Sequence, residues 1–198
     1  MKDFCKVLQA RRSVYGISDA SPIPQEEICT LVKQAVLHTP SSFHMQSARA
    51  VLLFGSHHKK LWEITRDILG ELVPAGQFSA TEKKIQSFAA GYGTVLFFEE
   101  TETIRQYAAK YSDYRDNFPI WAQQANGMLQ FAVWNLLEEQ GLGASLQHYN
   151  PLIDGKVRSQ WGISPSWQLI AQMPFGAPTV KPGEKKFLDV NDRVRIFR

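Results

Sequence analysis

Cysteine is scarce in this chain: Cys5 and Cys29 are the two present among 198 residues. Thiols so far apart make neither a CxxC redox pair nor a disulfide framework, which favours a reducing, cytoplasmic setting and a reading of both as inert buried thiols. An excess of one charge is missing too. The 22 Lys and Arg residues stand against 19 Asp and Glu, the two signs are mixed along the chain, and the formal net charge is +3. No basic field for nucleic acid or an anionic membrane results, so any anion recognised is small and held locally. Residues 1–9 include Lys2, Asp3 and Lys6 and contain no long apolar run or small-residue cleavage site, which argues against a signal peptide. The strings GxxxxGK[ST], GxGxxG and GxSxG are absent, leaving no direct sign of a P-loop, a dinucleotide turn or a hydrolase elbow. His57 and His58 have no Cys or carboxylate at metal spacing, and read as a surface pair instead of a zinc site.

What is present is apolar and flat. Hydrophobic residues make up 44% of the chain, with 12 Phe, 5 Trp and 6 Tyr, enough for the core of one domain spanning residues 1–198 and suited to lining a pocket for a planar ligand. Phe4, Val7 and Leu8 predict a short helix ending near Arg11 and Arg12. Residues 16–22 read as a turn, and Pro24 with Gln25, Glu26 and Glu27 opens a helix whose stripe is Ile28, Leu31, Val32, Ala35 and Val36. Residues 39–47 form a loop. Further helices are expected over 61–72 and 82–90, with a break at 74–77, and buried strands over 50–54, 94–98, 144–147 and 167–173. Asn150 and Pro151 can open another short helix. Strands separated by helices indicate an α/β or α+β architecture without a second domain.

Residues 117–137 carry no formal charge, a run as long as a membrane span, which needs about 20 residues. Gln123, Gln124, Asn126, Gln130 and Asn135 argue against lipid, because amides are costly there unless paired. The segment is predicted to be the central helix, from near Pro119 to about Gln140, buried by neighbouring helices and a second subunit.

Three constellations could carry chemistry. Arg11, Arg12 and Ser13 can bond a phosphate dianion, although an isolated Arg-Arg-Ser string is more often a solvated basic corner. The string PSSFHMQS at residues 40–47 can present hydroxyl, amide and imidazole groups from a loop, or be an ordinary capped turn. In GLGASLQHYNP at 141–151, small residues permit close approach to a ligand and His148 can move protons, while helix termination is the favoured role of its glycines.

Taken in order, RRSVYGI at 11–17, PSSFHMQSAR at 40–49, NFPIWAQQANGMLQFAVW at 117–134, GLGASLQHYNP at 141–151, PFGAP at 174–178 and KPGEKKF at 181–187 resemble the nitroreductase family, in its fatty-acid-repression-mutant branch. The resemblance spans nearly the whole chain. It implies an α+β fold, with a central mixed sheet flanked by helices, in an intertwined homodimer holding one FMN in each of two shared clefts. Arg11, Arg12 and Ser13 would then hold the phosphate and ribityl chain, aided by Lys185 or Lys186 and, more weakly, Arg193. Ser41, Ser42, His44 and Gln46 would reach the flavin from the neighbouring subunit. Leu146, Gln147, His148 and Tyr149 would lie along the isoalloxazine face. Two positions depart from the family pattern: His44 stands where many members have Asn, and Tyr15 stands near a position that is otherwise basic. The implied activity is ping-pong transfer from NAD(P)H through FMN to a nitroaromatic or quinone acceptor, the alternative being a noncatalytic flavin-binding or lipid-responsive regulator.

Overall fold

The computed structural model describes residues 3–198. Its helices are α1 (Phe4–Ala10), α2 (Gln25–His38), α3 (Gly55–Leu72), α4 (Ala75–Ala89), α5 (Thr101–Lys110), α6 (Asn117–Glu139) and α7 (Asp154–Trp161). Its strands are β1 (Ile17–Ser18), β2 (Ala48–Phe54), β3 (Gly93–Glu100), β4 (Gly143–Ala144) and β5 (Trp167–Pro178). The sheet order is β1-β5-β3-β2, and β4 also pairs with β5. These pairs are antiparallel, and among the described residues the parallel contact is the bridge between Ser13 and Ala144.

β3 is buried almost throughout because helices cover both of its faces. Alternate side chains point to opposite faces. Val95 and Phe97 therefore join Ile28 and Val32 of α2 and Leu129, Val133 and Leu137 of α6. Leu96 and Phe98 join Leu61 and Trp62 of α3, Ile85 and Phe88 of α4, and Val157 of α7. That two-sided burial is why the strand reads as a continuous apolar run.

The elements differ from the sequence expectation mainly at their ends. α3 starts immediately after β2 at Gly55, whose φ of +53° turns the chain. α4 starts directly after Pro74, where a break was expected, because proline is compatible with the residue that precedes a helix. β4 stops at Ala144 and α7 begins at Asp154. α5 lacked a legible stripe, since Ile104 is its buried position.

α6 resolves the uncharged run. Asn126, Gln130 and Asn135 are buried. Asn126 Nδ2 donates to Phe98 O at 3.0 Å and to Glu99 Oε1 at 2.8 Å, Gln130 Nε2 donates to Asn126 Oδ1 at 2.7 Å, and Asn135 Nδ2 donates to Phe131 O at 2.7 Å. Gln123 and Gln124 instead lie exposed, as do Ile120, Met128 and Phe131. Among the described residues no helix is long and apolar enough to cross a membrane.

Two readings of single residues are corrected. The two cysteines are not buried thiols, for Cys5 is exposed and Cys29 half-buried, both free. His57 and His58 are not a surface pair: His57 is exposed, accepting from Trp161 Nε1 at 3.1 Å, but His58 faces the sheet with 1% of its surface exposed. His58 Nδ1 lies 2.8 Å from Thr94 Oγ1 and Nε2 lies 3.2 Å from Ala89 O, while Trp62 Nε1 donates to the same Thr94 oxygen at 3.1 Å. A neutral ring satisfies this network, with Nε2 donating to the carbonyl and Nδ1 accepting from the hydroxyl. Burial accordingly lowers the His58 pKa to about 4.

Candidate active site

Arg11 and Arg12 follow α1, whose start is capped by the Asp3 carboxylate accepting from Cys5 N at 2.8 Å. The next two residues dock on the short strand beyond α6: Ser13 bridges Ala144, and Val14 N donates to Ala144 O at 2.9 Å. Glycines make this junction possible in two ways. Gly141 ends α6 with φ +81°, and Gly143 packs so closely that a Cβ there would sit 2.9 Å from Val14 Cγ1. Their roles are helix termination and chain packing, the first of which the sequence favoured.

Arg12 Nη1 donates to Gly183 O at 2.7 Å and so draws the C-terminal segment over the same place. The result is a pocket of about 520 Å³ lined by Arg11, Arg12, Ser13, Tyr15, Gly183 and Lys185, among others. The Arg11 guanidinium lies 4.4 Å from the centroid of the Trp134 ring, a cation stacked on an aromatic face. Its Nε is buried without a hydrogen-bond partner. Burial pushes the Arg11 pKa down, opposed by the charge of Glu138, yet guanidinium stays ionised in proteins. Two guanidinium groups and an ammonium in one lining suit an anion. Lys186 and Arg193 lie on the exposed C-terminal segment and do not line this pocket.

From Ala144 the chain runs directly into residues 146–149. Gln172 on β5, which the sequence did not single out, fixes that run: its backbone pairs with Gln147, and its side-chain Oε1 accepts from Tyr149 N at 2.8 Å. Gln147 is buried and bonds Ser145 Oγ at 3.0 Å, Leu146 is half-buried against the α2–α6 core, and His148 is exposed. Tyr149 packs against Trp62 with centroids 6.0 Å apart, and burial raises its pKa.

Ser41, Ser42, His44 and Gln46 stand elsewhere, on the loop between α2 and β2. Phe43, His44 and Gln46 all have positive φ, at 55°, 54° and 53°. Left-handed backbone at a non-glycine residue costs of order 1 kcal/mol, so the loop is held by contacts. Ser41 Oγ accepts from Gln46 N at 2.9 Å, Arg49 Nη1 donates to Gln46 O at 2.7 Å, and Phe43 packs on Tyr111 and Trp121 at 4.6 and 5.9 Å. Ser41 and Gln46 line a different cavity from the arginines, of about 580 Å³ and shared with Lys33 and Arg49. Within one chain, then, the structure joins the arginines to the 143–149 segment and to Lys185, and leaves the serine loop on another cavity. Trp134, Gly183, Gln172 and Arg49 were missed in the sequence because each acts through a tertiary contact that no local pattern encodes.

This arrangement of sheet, central helix and cationic pocket is that of an oxidoreductase of the nitroreductase type. The chain belongs to the nitroreductase family, whose family model matches residues 8–177. It is 36% identical to a putative nitroreductase, HBN1, of Saccharomyces cerevisiae, over 98% of this chain and 96% of that one. It is 28% identical to the nitroreductase FRM2 of the same yeast, over 98% and 97%. Among solved structures it is similar to nitroreductase CinD of Lactococcus lactis in complex with chloramphenicol, at 36% identity and a TM-score of 0.91 over 99% of this chain and 100% of that one.

Proposed function

We propose that this chain is one FMN-binding domain, cytoplasmic, and that it works as a homodimer passing reducing equivalents from NAD(P)H to nitroaromatic or quinone acceptors by ping-pong kinetics. The observation that carries the proposal is the pocket lined by Arg11, Arg12, Ser13 and Lys185. A phosphate monoester fits that donor set: two guanidinium groups, a hydroxyl and an ammonium can surround a dianion without any carboxylate in the lining. Bound FMN would supply the redox chemistry, accepting hydride from the nicotinamide and reducing the acceptor that replaces it.

The chain's own residues bind and orient. The 146–149 segment, pinned by Gln172, would lie along the face of a flat ring. Ser41, Ser42, His44 and Gln46 would reach that ring from the second subunit, because within one subunit Ser41 and Gln46 line a cavity separate from the arginines. The exposed face of α6 with Ile120, Met128 and Phe131 is the surface a second copy would bury. His148 is solvent-exposed and available for proton delivery. A pocket that admits nitroaromatics agrees with CinD, whose complexes hold chloramphenicol and 4-nitrophenol.

Anaerobic titration of FMN-reconstituted protein tests the reading. NADH or NADPH should bleach the flavin band, and 4-nitrophenol or a quinone should restore it. A flavin band that binds but never bleaches would assign the noncatalytic alternative, and protein left colourless after reconstitution would remove both.

A further inference from the structure

We infer that Glu99 is a positioning residue: its buried carboxyl is the post between Asn126 on α6 and Ser47 that holds the 41–47 loop in its left-handed shape. On β3, Glu99 follows Val95 and Phe97 on the face turned to α2 and α6, a slot where an apolar side chain would be expected. It is 0% exposed. An acid in such a position is costly unless its oxygens are engaged. Glu99 Oε1 accepts from Asn126 Nδ2 at 2.8 Å, and Asn126 is itself steadied by Gln130. Glu99 Oε2 and Ser47 Oγ are both sealed from solvent, and neither completes a hydrogen bond of good geometry. They nonetheless lie close enough for the hydroxyl to lower the carboxyl's pKa.

The backbone makes the same connection, since Glu100 N donates to Ser47 O at 2.9 Å. Ser47 directly follows Gln46, the last of the positive-φ residues, so anything that fixes Ser47 fixes the end of the loop. The groups facing Glu99 are Ser47 from the loop, Arg49 from β2, Asn126 with Gln130 from α6, and Gln168 opposite in register on β5. Arg49 is the cation among them, and it also bonds Gln46 O. Burial raises the pKa of Glu99 against the opposing pull of Ser47, Asn126 and Arg49.

The effect on the loop stands by itself, whereas the effect on cofactor binding rests on the FMN reading above. The test measures amide-exchange protection factors across residues 41–47 in protein without FMN, and FMN affinity separately. Glu99→Leu keeps the slot filled and removes the post, and should lower loop protection and weaken FMN binding by about tenfold each. Glu99→Gln can still accept from Asn126 and meet Ser47. It should retain protection near the wild-type level, so that the conservative variant rescues what Glu99→Leu loses. Should Glu99→Leu fail to fold, Ser47→Ala removes the other end of the contact and must also lower loop protection. Wild-type protection in Glu99→Leu or in Ser47→Ala, or protection in Glu99→Gln as low as in Glu99→Leu, would overturn the inference. Failure of wild type to bind FMN would overturn the flavin reading while leaving the protection factors to decide the loop.

Discussion

The guanidinium of Arg11 shows how much a single side chain can be asked to do. It is stacked on Trp134, partly desolvated, and left with an unpaired Nε. Lysine at this position would keep the charge but lose both the stacking plane and the fork. Arg11→Lys should weaken FMN binding by about tenfold, consistent with the loss of one charge-assisted bond worth roughly 1.5–3 kcal/mol. A wild-type dissociation constant, measured by quenching of flavin fluorescence, would contradict the assignment. His58 gives a prediction independent of any ligand. Unfolded, it binds a proton near its ordinary pKa of 6.5, but folded it refuses one until about pH 4. Stability should therefore fall as the pH drops through that window and level off below it, by about 3 kcal/mol in all, since each pKa unit is worth about 1.4 kcal/mol. Urea unfolding of wild type and His58→Gln across the window checks this, and parallel pH dependence in both proteins would show that His58 is not the cause.

At the scale of the element, legibility followed local periodicity. The stripe of α2, the long uncharged run of α6 and the apolar runs of β2, β3 and β5 were readable because burial imposes a period of 3.6 or a continuous run on those segments. α5 was not readable, since it buries little beyond Ile104, and β1 is held by its partner β5 more than by its own two residues. The arginine string and the 143–149 segment were legible as pieces. Their junction was not, because it depends on a bridge between Ser13 and Ala144, residues far apart in sequence. Gly143 makes that junction testable. A Cβ there meets Val14 Cγ1 at 2.9 Å and Val14 Cβ at 3.0 Å, so Gly143→Val should force the strands apart, costing roughly 1–3 kcal/mol as overpacking does, and should lower FMN affinity along with it. Thermal melting that matches wild type would mean the segment has room that the structure does not show. The exposed face of α6 gives a second element-level test: Phe131→Glu should shift the protein to monomer in sedimentation velocity while preserving its far-ultraviolet spectrum. A dimer that persists would place the subunit contact on another face.

The whole molecule is built from two cationic and polar surfaces that one chain keeps apart. The arginine pocket lies at the meeting of α1, β4 and the C-terminal segment, and the strained serine loop opens on a separate cavity beside α2 and β2. A flat ligand with a phosphate tail is the chemistry that makes sense of both, provided a second copy brings its loop to the first copy's pocket. In that arrangement the uncharged stretch 117–137 of α6 would face the second copy. The most direct measurement is equilibrium dialysis of purified wild type and Arg12→Ala against FMN. The account predicts about one FMN bound per subunit in wild type, with affinity about tenfold to a hundredfold lower in the variant, as for removal of a charged hydrogen-bond donor. Equal binding by the two proteins, or none by wild type, would contradict it.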